Sequence, residues 1–411
     1  MGICAGSYKI FIFSLVVIFI TFLFWFRSDE EFQQDSEELA LSMVVAGMHN
    51  FDIGNRIFGL GWMQSSEGNA LYVYSKPELY ENSITERPQQ IGIQGWAFYY
   101  LAKLGIPRPL SALRLGCCLA LALVLSLISY EIMIRYGKLF AAVFLIVSAS
   151  SLWLANFAPN LYWVTFTWFI PMLLGLICIN NLEKRKWIYP LVFLAIFIKA
   201  ACGYEYITVV MSNSIVFLFA EWLYAINRDK EQAKLLFRTV FMFSLMAMLG
   251  FTFAFLINAY MRGAGDIKSG ISAIYENDVL RRTFGDAANF DYPALQEALN
   301  ASIMDVIIIY LTKTVTGIIA LAVVIATMAI FIYERALRKT PVSLEFLLTS
   351  IAFFCCISWF VLGKSHSYNH THMAYVMWYM GFIQIGSYNI LNWIIKKEPI
   401  ALCLKNLSIT K

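Results

Sequence analysis

The segment 10–39, IFIFSLVVIFITFLFWFRSDEEFQQDSEEL, joins an apolar run directly to a cluster of carboxylates. Residues 10–26 are long enough to cross about 30 Å of hydrocarbon as a helix. The next segment holds six acidic residues within ten positions: Asp29, Glu30, Glu31, Asp35, Glu37 and Glu38. This arrangement predicts either a catalytic site at the bilayer surface or a solvated acidic linker.

The rest of the chain continues the apolar pattern. Of its 411 residues, 60% are hydrophobic and 14% are charged, whereas a soluble domain has about 25% charged residues. We therefore expect an all-α polytopic membrane protein with about ten transmembrane helices, forming one integral membrane domain over residues 1–411. The expected spans are about 10–26, 110–133, 139–157, 162–180, 187–202, 206–225, 238–260, 303–333, 343–362 and 374–395.

Basic residues follow the even-numbered spans, and this sets the expected orientation. They are Arg135 and Lys138, Lys184 to Lys186, Arg228 to Arg238, Arg335 to Lys339, and Lys396 with Lys397. The positive-inside rule places these connections and both termini in the cytoplasm. The two long outer segments are then 27–109, with 11 acidic and 6 basic residues, and 261–302, with 6 and 4.

The first span, the cysteines and the lack of nucleotide-binding motifs argue against several kinds of protein and site. The first span ends in Phe-Trp-Phe-Arg where signal cleavage needs small residues, so we expect a retained anchor. The cysteines form no CxxC pair, which argues against a disulfide framework or a zinc site. Neither a P-loop nor GxGxxG occurs and no basic patch is sustained, so no nucleotide or nucleic-acid partner is expected.

The acidic run contains the candidate general base. Asp35 or Ser36 would cap a short helix running to about Gly47, which would fix the direction of the Asp35 carboxylate. Glu37 and Glu38 compete for the same role, although a carboxylate in the first turn is also favoured by the helix dipole alone. These acids could instead hold Mg²⁺ or Mn²⁺ together with substrate phosphate oxygens, although the residues do not require a metal.

A second carboxylate, Glu205, lies in an apolar stretch where one span ends and another begins. Ionisable residues at membrane depth usually face a cavity or a partner. Glu205 therefore belongs either beside Asp35 in an outward cavity, or in a buried ion pair with Lys199 that holds two spans together.

Two groups of basic residues could bind phosphate. Arg281 and Arg282 form an outward pair, and arginine binds phosphate in a bidentate manner; the alternative is a salt bridge to Asp278 or Asp286. A later outer loop holds Lys364, His366, His370 and His372. These histidines could hold phosphate oxygens, bind a metal, or form a polar loop without chemistry.

Residues 91–105 read as a short aromatic helix containing Trp96, Tyr99 and Tyr100. Such a helix would lie in the membrane interface and form one wall of a lipid-entry groove, or would simply pack on the surface.

This layout resembles the GT-C superfamily of membrane glycosyltransferases, which use polyprenyl-phosphate-linked sugars. The segment Asp35-Ser-Glu-Glu-Leu-Ala-Leu looks like the acidic helix start that follows the first span in that family, which implies Asp35 as the base. Pro88-Gln-Gln-Ile-Gly-Ile-Gln-Gly95 is similar to a Gln-rich segment later in the same loop and implies Gln94 as a substrate contact. Glu205 looks like a second acidic site near a later outer turn.

The resemblance implies transfer of a sugar from a polyprenyl-phosphate donor to a hydroxyl of a cell-envelope glycan, lipid or polymer. The reaction would occur at the outer face of a bacterial plasma membrane. Asp35 would deprotonate the acceptor and Glu38 or Glu205 would orient it. The groups expected around the leaving phosphate are Arg281, Arg282, Lys364, His366 and His370. A flippase of lipid-linked sugars and an O-antigen-type polymerase or ligase are the alternatives.

Overall fold

A computed structural model describes residues 5–25, 36–65 and 70–397. Asp35 and the first three carboxylates of the acidic run, Asp29, Glu30 and Glu31, lie outside the described residues.

Helices dominate the described chain. In the first half the elements are α1 (Ala5–Trp25), α2 (Glu37–His49), β1 (Gly61–Ser65), α3 (Ala70–Ser75), β2 (Tyr80–Glu86), α4 (Ile93–Lys103), α5 (Pro109–Tyr136), α6 (Lys138–Ala149), α7 (Leu152–Phe157), α8 (Phe166–Asn180) and α9 (Arg185–Cys202). In the second half they are α10 (Ile207–Asn213), α11 (Val216–Ala225), α12 (Lys230–Arg262), α13 (Ile267–Ile274), α14 (Leu280–Arg282), α15 (Pro293–Asn300), α16 (Ile303–Thr312), α17 (Val315–Ile332), α18 (Leu344–Leu362), α19 (Lys364–Asn369), α20 (Thr371–Ala374) and α21 (Phe382–Lys397).

The structure confirms a helical membrane protein, but not the predicted number of spans. In the described ranges, 4 helices are long and apolar enough to cross a membrane, or up to 7 if each bent pair of helices counts as one span. The unbent spans are α5, α12, α18 and the continuous helix Val315–Leu337. Ten spans are therefore not confirmed.

Local capping and short breaks divide two of the expected apolar runs. The expected span 303–333 is two helices, because Thr314 starts a new one by accepting a hydrogen bond from the Gly317 amide at 3.2 Å. The expected span 206–225 likewise consists of α10 and α11, whose axes differ by 46°. A single capping side chain can restart a helix, and it changes the mean hydropathy of a run very little.

The long segment 27–109, expected to be an outer loop, contains a β-hairpin that the all-α prediction did not include. β1 and β2 pair antiparallel, with Gly61 opposite Glu86 and Trp62 opposite Thr85. The carboxylate of Glu86 accepts a hydrogen bond from the Ile57 amide at 2.7 Å, which ties the chain before the hairpin to its last residue. These contacts therefore hold Ile57, β1 and β2 together.

The helix that follows the acidic run is buried. Residues 39–47 of α2 are all buried, and α2 packs closely on α4: a Cβ on Gly47 would lie 2.3 Å from the carbonyl oxygen of Tyr99. The helix expected at 91–105 is confirmed as α4, with Tyr99 buried and Tyr100 exposed. Because α2 and α4 pack into the protein, the described end of the acidic run, Glu37 and Glu38, is not part of a solvated linker.

Candidate functional site

A polar cavity of about 280 Å³ lies where the long connecting segments meet the ends of the apolar helices. Its lining residues are Ser36, Arg87, Tyr162, Trp163, Glu205, Arg281, Arg282, Tyr292, Leu295, Ser365, His366, Asn369, His370 and Met373. The structure thus brings together five of the residues that the sequence analysis selected: Glu205, Arg281, Arg282, His366 and His370. Three arginines face one carboxylate, so the lining carries an excess of positive charge that favours an anionic ligand.

Glu205 is the carboxylate of this cavity. Only 4% of the residue is exposed. Its Oε1 accepts a hydrogen bond from the Tyr162 hydroxyl at 3.1 Å and lies 3.8 Å from Nη2 of Arg282. Burial acts to raise the pKa of Glu205, but the charges of Arg282 and Lys199 outweigh it and hold that pKa below the ordinary range. Glu205 therefore remains ionised at neutral pH.

Lys199 does not form the expected ion pair with Glu205. Its ammonium group donates to the carbonyl oxygen of Gly203 at 2.5 Å, at the end of α9. Arg282 approaches the carboxylate instead. Lys199 thus stabilises the turn that presents Glu205, while its charge contributes to the field at the carboxylate.

The two sequential arginines are not held by their neighbouring acids. Asp278 pairs with Arg262, and the Asp286 carboxylate accepts from the Ala288 amide at 2.9 Å. Burial lowers the pKa of Arg281, and the adjacent charge of Arg282 lowers it further. Within the described ranges, Arg281 forms no salt bridge with an acid, so its charge is available to a ligand.

Arg87 is a third arginine of the cavity, and the sequence analysis did not select it. It follows β2, and its amide donates to the Leu60 carbonyl at 3.0 Å, which fixes its position beside the hairpin. The available signal was a basic residue directly before the Gln-rich segment 88–95. Arg87 was missed because its contribution depends on the fold of the hairpin.

The histidine loop contributes polar side chains to the cavity. The ring centroids of His366 and His370 lie 4.4 Å apart, and those of Trp359 and His366 lie 5.9 Å apart. Burial holds the pKa of His366 well below its ordinary value, and the charge of Arg282 acts in the same direction. His366 can therefore donate or accept a hydrogen bond without carrying charge. No three His, Cys, Asp or Glu side chains of the described chain gather to hold a metal ion.

Three selected residues lie outside the cavity. Lys364 donates to the carbonyl oxygens of Leu299 and Ala301, both at 2.6 Å. Glu38 accepts from the Ala70 amide at 3.3 Å.

The third is Gln94, whose Nε2 donates to the carbonyl oxygens of Tyr162 at 3.0 Å and Cys202 at 2.8 Å. Gln94 thus joins the two backbone turns that carry Tyr162 and Glu205. It fixes the distance between these two cavity residues from outside the cavity.

Glu37 also supports the cavity from outside. It is 2% exposed, and its carboxylate accepts from Arg114 through both oxygens and from the Leu161 amide at 3.0 Å. Burial raises its pKa, although the charge of Arg114 opposes that shift. Because Ser36 precedes Glu37 and Tyr162 follows Leu161, this contact holds two parts of the cavity wall together.

Three residues around the cavity adopt left-handed backbone conformations without being glycine. These are Ser36 at φ 59°, Val164 at φ 39° and Tyr206 at φ 58°. Such conformations are uncommon outside glycine and tend to cluster at functional sites. Ser36 and Tyr206 directly follow two of the carboxylates that the sequence analysis selected, Asp35 and Glu205.

An apolar groove of about 290 Å³ adjoins the polar cavity. Its walls include Tyr204, Ile207, Phe251, Phe255, Trp359 and Leu362. Arg282 lines both the groove and the cavity. Arg282 therefore lies between the apolar groove and the positively charged cavity.

Comparison with known proteins adds no relative. No protein-family model, curated protein or solved structure matches the chain.

Proposed function

We propose that the protein is a membrane glycosyltransferase that takes a sugar from a polyprenyl-phosphate donor. It would pass the sugar to a hydroxyl of a cell-envelope glycan, lipid or polymer at the outer face of a bacterial plasma membrane. The observation that carries the proposal is the position of Arg282 at the junction of the arginine-lined cavity and the apolar groove. This junction suits a donor whose phosphate group joins a sugar to a long apolar chain.

The donor would lie with its phosphate at the arginines and its prenyl chain in the groove. Arg281 and Arg282 would meet the phosphate oxygens, and Arg87 would approach from the hairpin side. Burying the chain against Phe251 and Phe255 would contribute about 25 cal/mol for each Å² of apolar surface removed from water. The sugar would then occupy the polar space near Glu205 and His366.

The arginines would act mainly on the leaving group. In the proposed step, the acceptor oxygen bonds to the anomeric carbon of the sugar while the bond from that carbon to the phosphate oxygen breaks. The electron pair leaves with polyprenyl phosphate, so negative charge increases on that oxygen in the transition state. Arginines held in place beforehand stabilise this charge more than they stabilise the bound donor.

Asp35 remains the candidate base for the acceptor proton. It immediately precedes Ser36, which lines the cavity. Glu205 suits a different role, because a carboxylate whose pKa is lowered and that is paired with Arg282 is a weak proton acceptor. We assign Glu205 to orienting Arg282 and to accepting hydrogen bonds from substrate hydroxyls.

A divalent cation remains an alternative part of this proposal. Mg²⁺ sites use one or two carboxylates together with substrate phosphate oxygens. The described cavity supplies one carboxylate, Glu205, which already interacts with Arg282 and Tyr162. A cation would therefore need Asp35 and the donor phosphate as further ligands, and chelation during the assay tests this requirement.

The test is release of polyprenyl phosphate from radiolabelled polyprenyl-phosphate sugars in proteoliposomes, with water or added glycans as acceptor. We expect Asp35→Asn to reduce the rate by at least about a hundredfold, the size of a general-base contribution. Asp29→Asn, from the same acidic run, is the matched control and should keep the wild-type rate. Full activity of the Asp35 variant would exclude Asp35 as the base. Movement of intact donor across the bilayer without sugar release would instead support a flippase.

A further inference from the structure

A second cavity, of about 260 Å³, lies at the other end of the apolar helices. Helix α18 begins at this cavity with Glu345 and Phe346, and it ends at Leu362 in the wall of the apolar groove. Its 19 residues span about 28 Å at 1.5 Å per residue, close to the thickness of a hydrocarbon core. The two cavities therefore lie near opposite faces of the membrane.

Basic residues outnumber acids around the second cavity. Its lining contains Arg335, Arg338, Lys396 and Lys397 against Glu334 and Glu345. Arg335 lies within a π-helical turn, Tyr333–Leu337, that extends the end of α17, and Arg338 follows that turn directly. The two lysines come from the last turn of α21. Two parts of the chain that are far apart in sequence thus place positive charge around the second cavity.

Both acids are already engaged by other groups. Glu334 accepts from Trp393 Nε1 at 2.9 Å and forms a 2.7 Å ion pair with Lys397. Glu345 accepts from Asn392 at 2.8 Å and pairs with Lys396 at 3.2 Å. The charges of the two lysines are therefore compensated within the cavity.

The arginines keep uncompensated charge. One N–H of Arg335 donates to the Thr340 carbonyl at 2.8 Å, and the Arg338 guanidinium lies 5.8 Å from the Tyr333 ring centroid. Neither arginine forms a salt bridge with an acid in the part of the chain that the structure describes. Asn389, which is 4% exposed and also lines the cavity, has an Nδ2 without a hydrogen-bond partner there. Charged and neutral donors therefore remain for an anion.

The remaining walls are apolar and aromatic. The rings of Phe331 and Phe346 stack at 4.1 Å, and Ile330 lies beside them. Trp393 faces the same space, and tryptophan is enriched at membrane–water interfaces. An anion with an apolar portion would contact both the basic and the apolar residues of the second cavity.

We propose that the second cavity binds a phosphate group at Arg335, Arg338 and Asn389, most simply the phosphodiester of an anionic phospholipid. Basic sites between transmembrane helices bind such headgroups through the same chemistry. A soluble phosphate monoester could supply the same anion, so the experiment separates these two sources. The proposal does not depend on the proposed sugar transfer, because the second cavity shares no lining residue with the first.

The test is retention of lipid by the purified full-length protein, measured by native mass spectrometry after exchange into equal amounts of phosphatidylglycerol and phosphatidylcholine. We expect the wild type to retain phosphatidylglycerol preferentially. Arg335→Gln combined with Arg338→Gln should reduce that retention roughly tenfold or more, because each basic group near the surface contributes about 1 kcal/mol.

The matched control is Lys184→Gln combined with Lys186→Gln, which also removes two charges. These exposed lysines flank the start of α9, on the side where the positive-inside rule places the arginines. Their loss should leave retention unchanged. Arg335→Lys combined with Arg338→Lys keeps the charge and should retain most of the lipid. Retention of the lipid by this double lysine variant would show that lost charge, and not altered folding, explains the effect of the double glutamine variant.

A second arm adds glycerol 1-phosphate to the lipid-bound protein. Displacement of phosphatidylglycerol would support a phosphate site that accepts a soluble monoester, and no displacement would support a site specific for the lipid. Equal retention of the two lipids by the wild type would overturn the proposal. Equal loss in the arginine and control lysine pairs would overturn it as well.

Discussion

Arg282 approaches the buried carboxylate of Glu205 at 3.8 Å, and this arginine lines both the polar cavity and the apolar groove. The contact joins α14, in the segment 261–302, to the turn between α9 and α10. Tyr162 completes the arrangement with a 3.1 Å hydrogen bond to the same carboxylate oxygen.

Replacing Arg282 should weaken donor binding. We expect Arg282→Gln to raise the KM for a polyprenyl-phosphate sugar at least about tenfold, since a hydrogen bond to a charged group contributes about 1.5–3 kcal/mol. Arg282→Lys should recover part of this loss, because lysine keeps the charge but not the bidentate geometry. An exposed arginine, Arg228, provides the control: Arg228→Gln should leave KM unchanged. An unchanged KM in the Arg282 variant would remove Arg282 from the donor site.

The ionised state of Glu205 should appear as a pH dependence of stability. Because the folded protein holds the pKa of Glu205 below its ordinary range, the unfolded chain binds a proton first as the pH falls. The stabilising contribution is therefore present above about pH 4.3, the unfolded value, and is lost as the pH falls through the folded pKa. Thermal melting in detergent from pH 7 to pH 3.5 should show a smaller acid loss in Glu205→Gln than in the wild type. Parallel curves for the two proteins would contradict this assignment.

The buried Glu37 should be a major determinant of stability. Glu37→Gln leaves Arg114 without its counter-charge in a largely buried site, and breaking such a pair costs about 3–5 kcal/mol. We expect a lower melting temperature together with reduced activity, because the contact holds the cavity walls around Ser36 and Tyr162. Glu38→Gln is the neighbouring control and should cost less than about 1 kcal/mol, since Glu38 accepts one long hydrogen bond and forms no salt bridge with a described residue. Comparable melting temperatures for the two variants would argue against this role of Glu37.

Gly203 should tolerate no side chain, for steric reasons. A Cβ at this position would lie 2.6 Å from Oε2 of Glu205, so Gly203→Ala must displace the carboxylate. We expect a cost of about 1–3 kcal/mol in stability and a clear loss of turnover. Gly116→Ala in α5 is the control, because nothing lies within 4 Å of its added methyl group, and alanine is the better helix former. A neutral Gly203→Ala variant would show that the carboxylate has room to move.

The apolar groove should discriminate between donors by the length of their chains. Leu362→Trp would place extra volume in the groove, whereas Val361→Trp changes the neighbouring position, which does not line it. We expect the Leu362 variant to raise KM for a long polyprenyl donor several-fold and to change it little for a short-chain analogue. Equal effects of the two substitutions, or equal effects on both donors, would exclude the groove as the chain-binding path.

Sequence patterns predicted the all-α membrane class and the order of the apolar segments, and they selected five residues of the cavity. These features were predictable because hydropathy over a window of about twenty residues measures the cost of placing a segment in lipid. Ionisable residues in apolar surroundings are rare for the same reason, which made Glu205 conspicuous. The Arg281–Arg282 pair was selected instead as a basic pair in an otherwise acidic segment. The number of spans was not predictable in this way, because the breaks at Thr314 and between α10 and α11 depend on caps and packing.

By itself the sequence determined that the chain is rich in membrane-length apolar helices and that its polar groups concentrate in a few connecting segments. Only the tertiary structure decided which polar groups meet. Packing brought Arg87 into the cavity and paired Arg282, rather than Lys199, with Glu205. It also placed Glu37, Gln94 and Lys364 in contacts outside the cavity. The physical reason is that hydropathy is a property of neighbouring residues. Ion pairs and cavities, in contrast, form between side chains far apart in the chain, whose distances are set by packing.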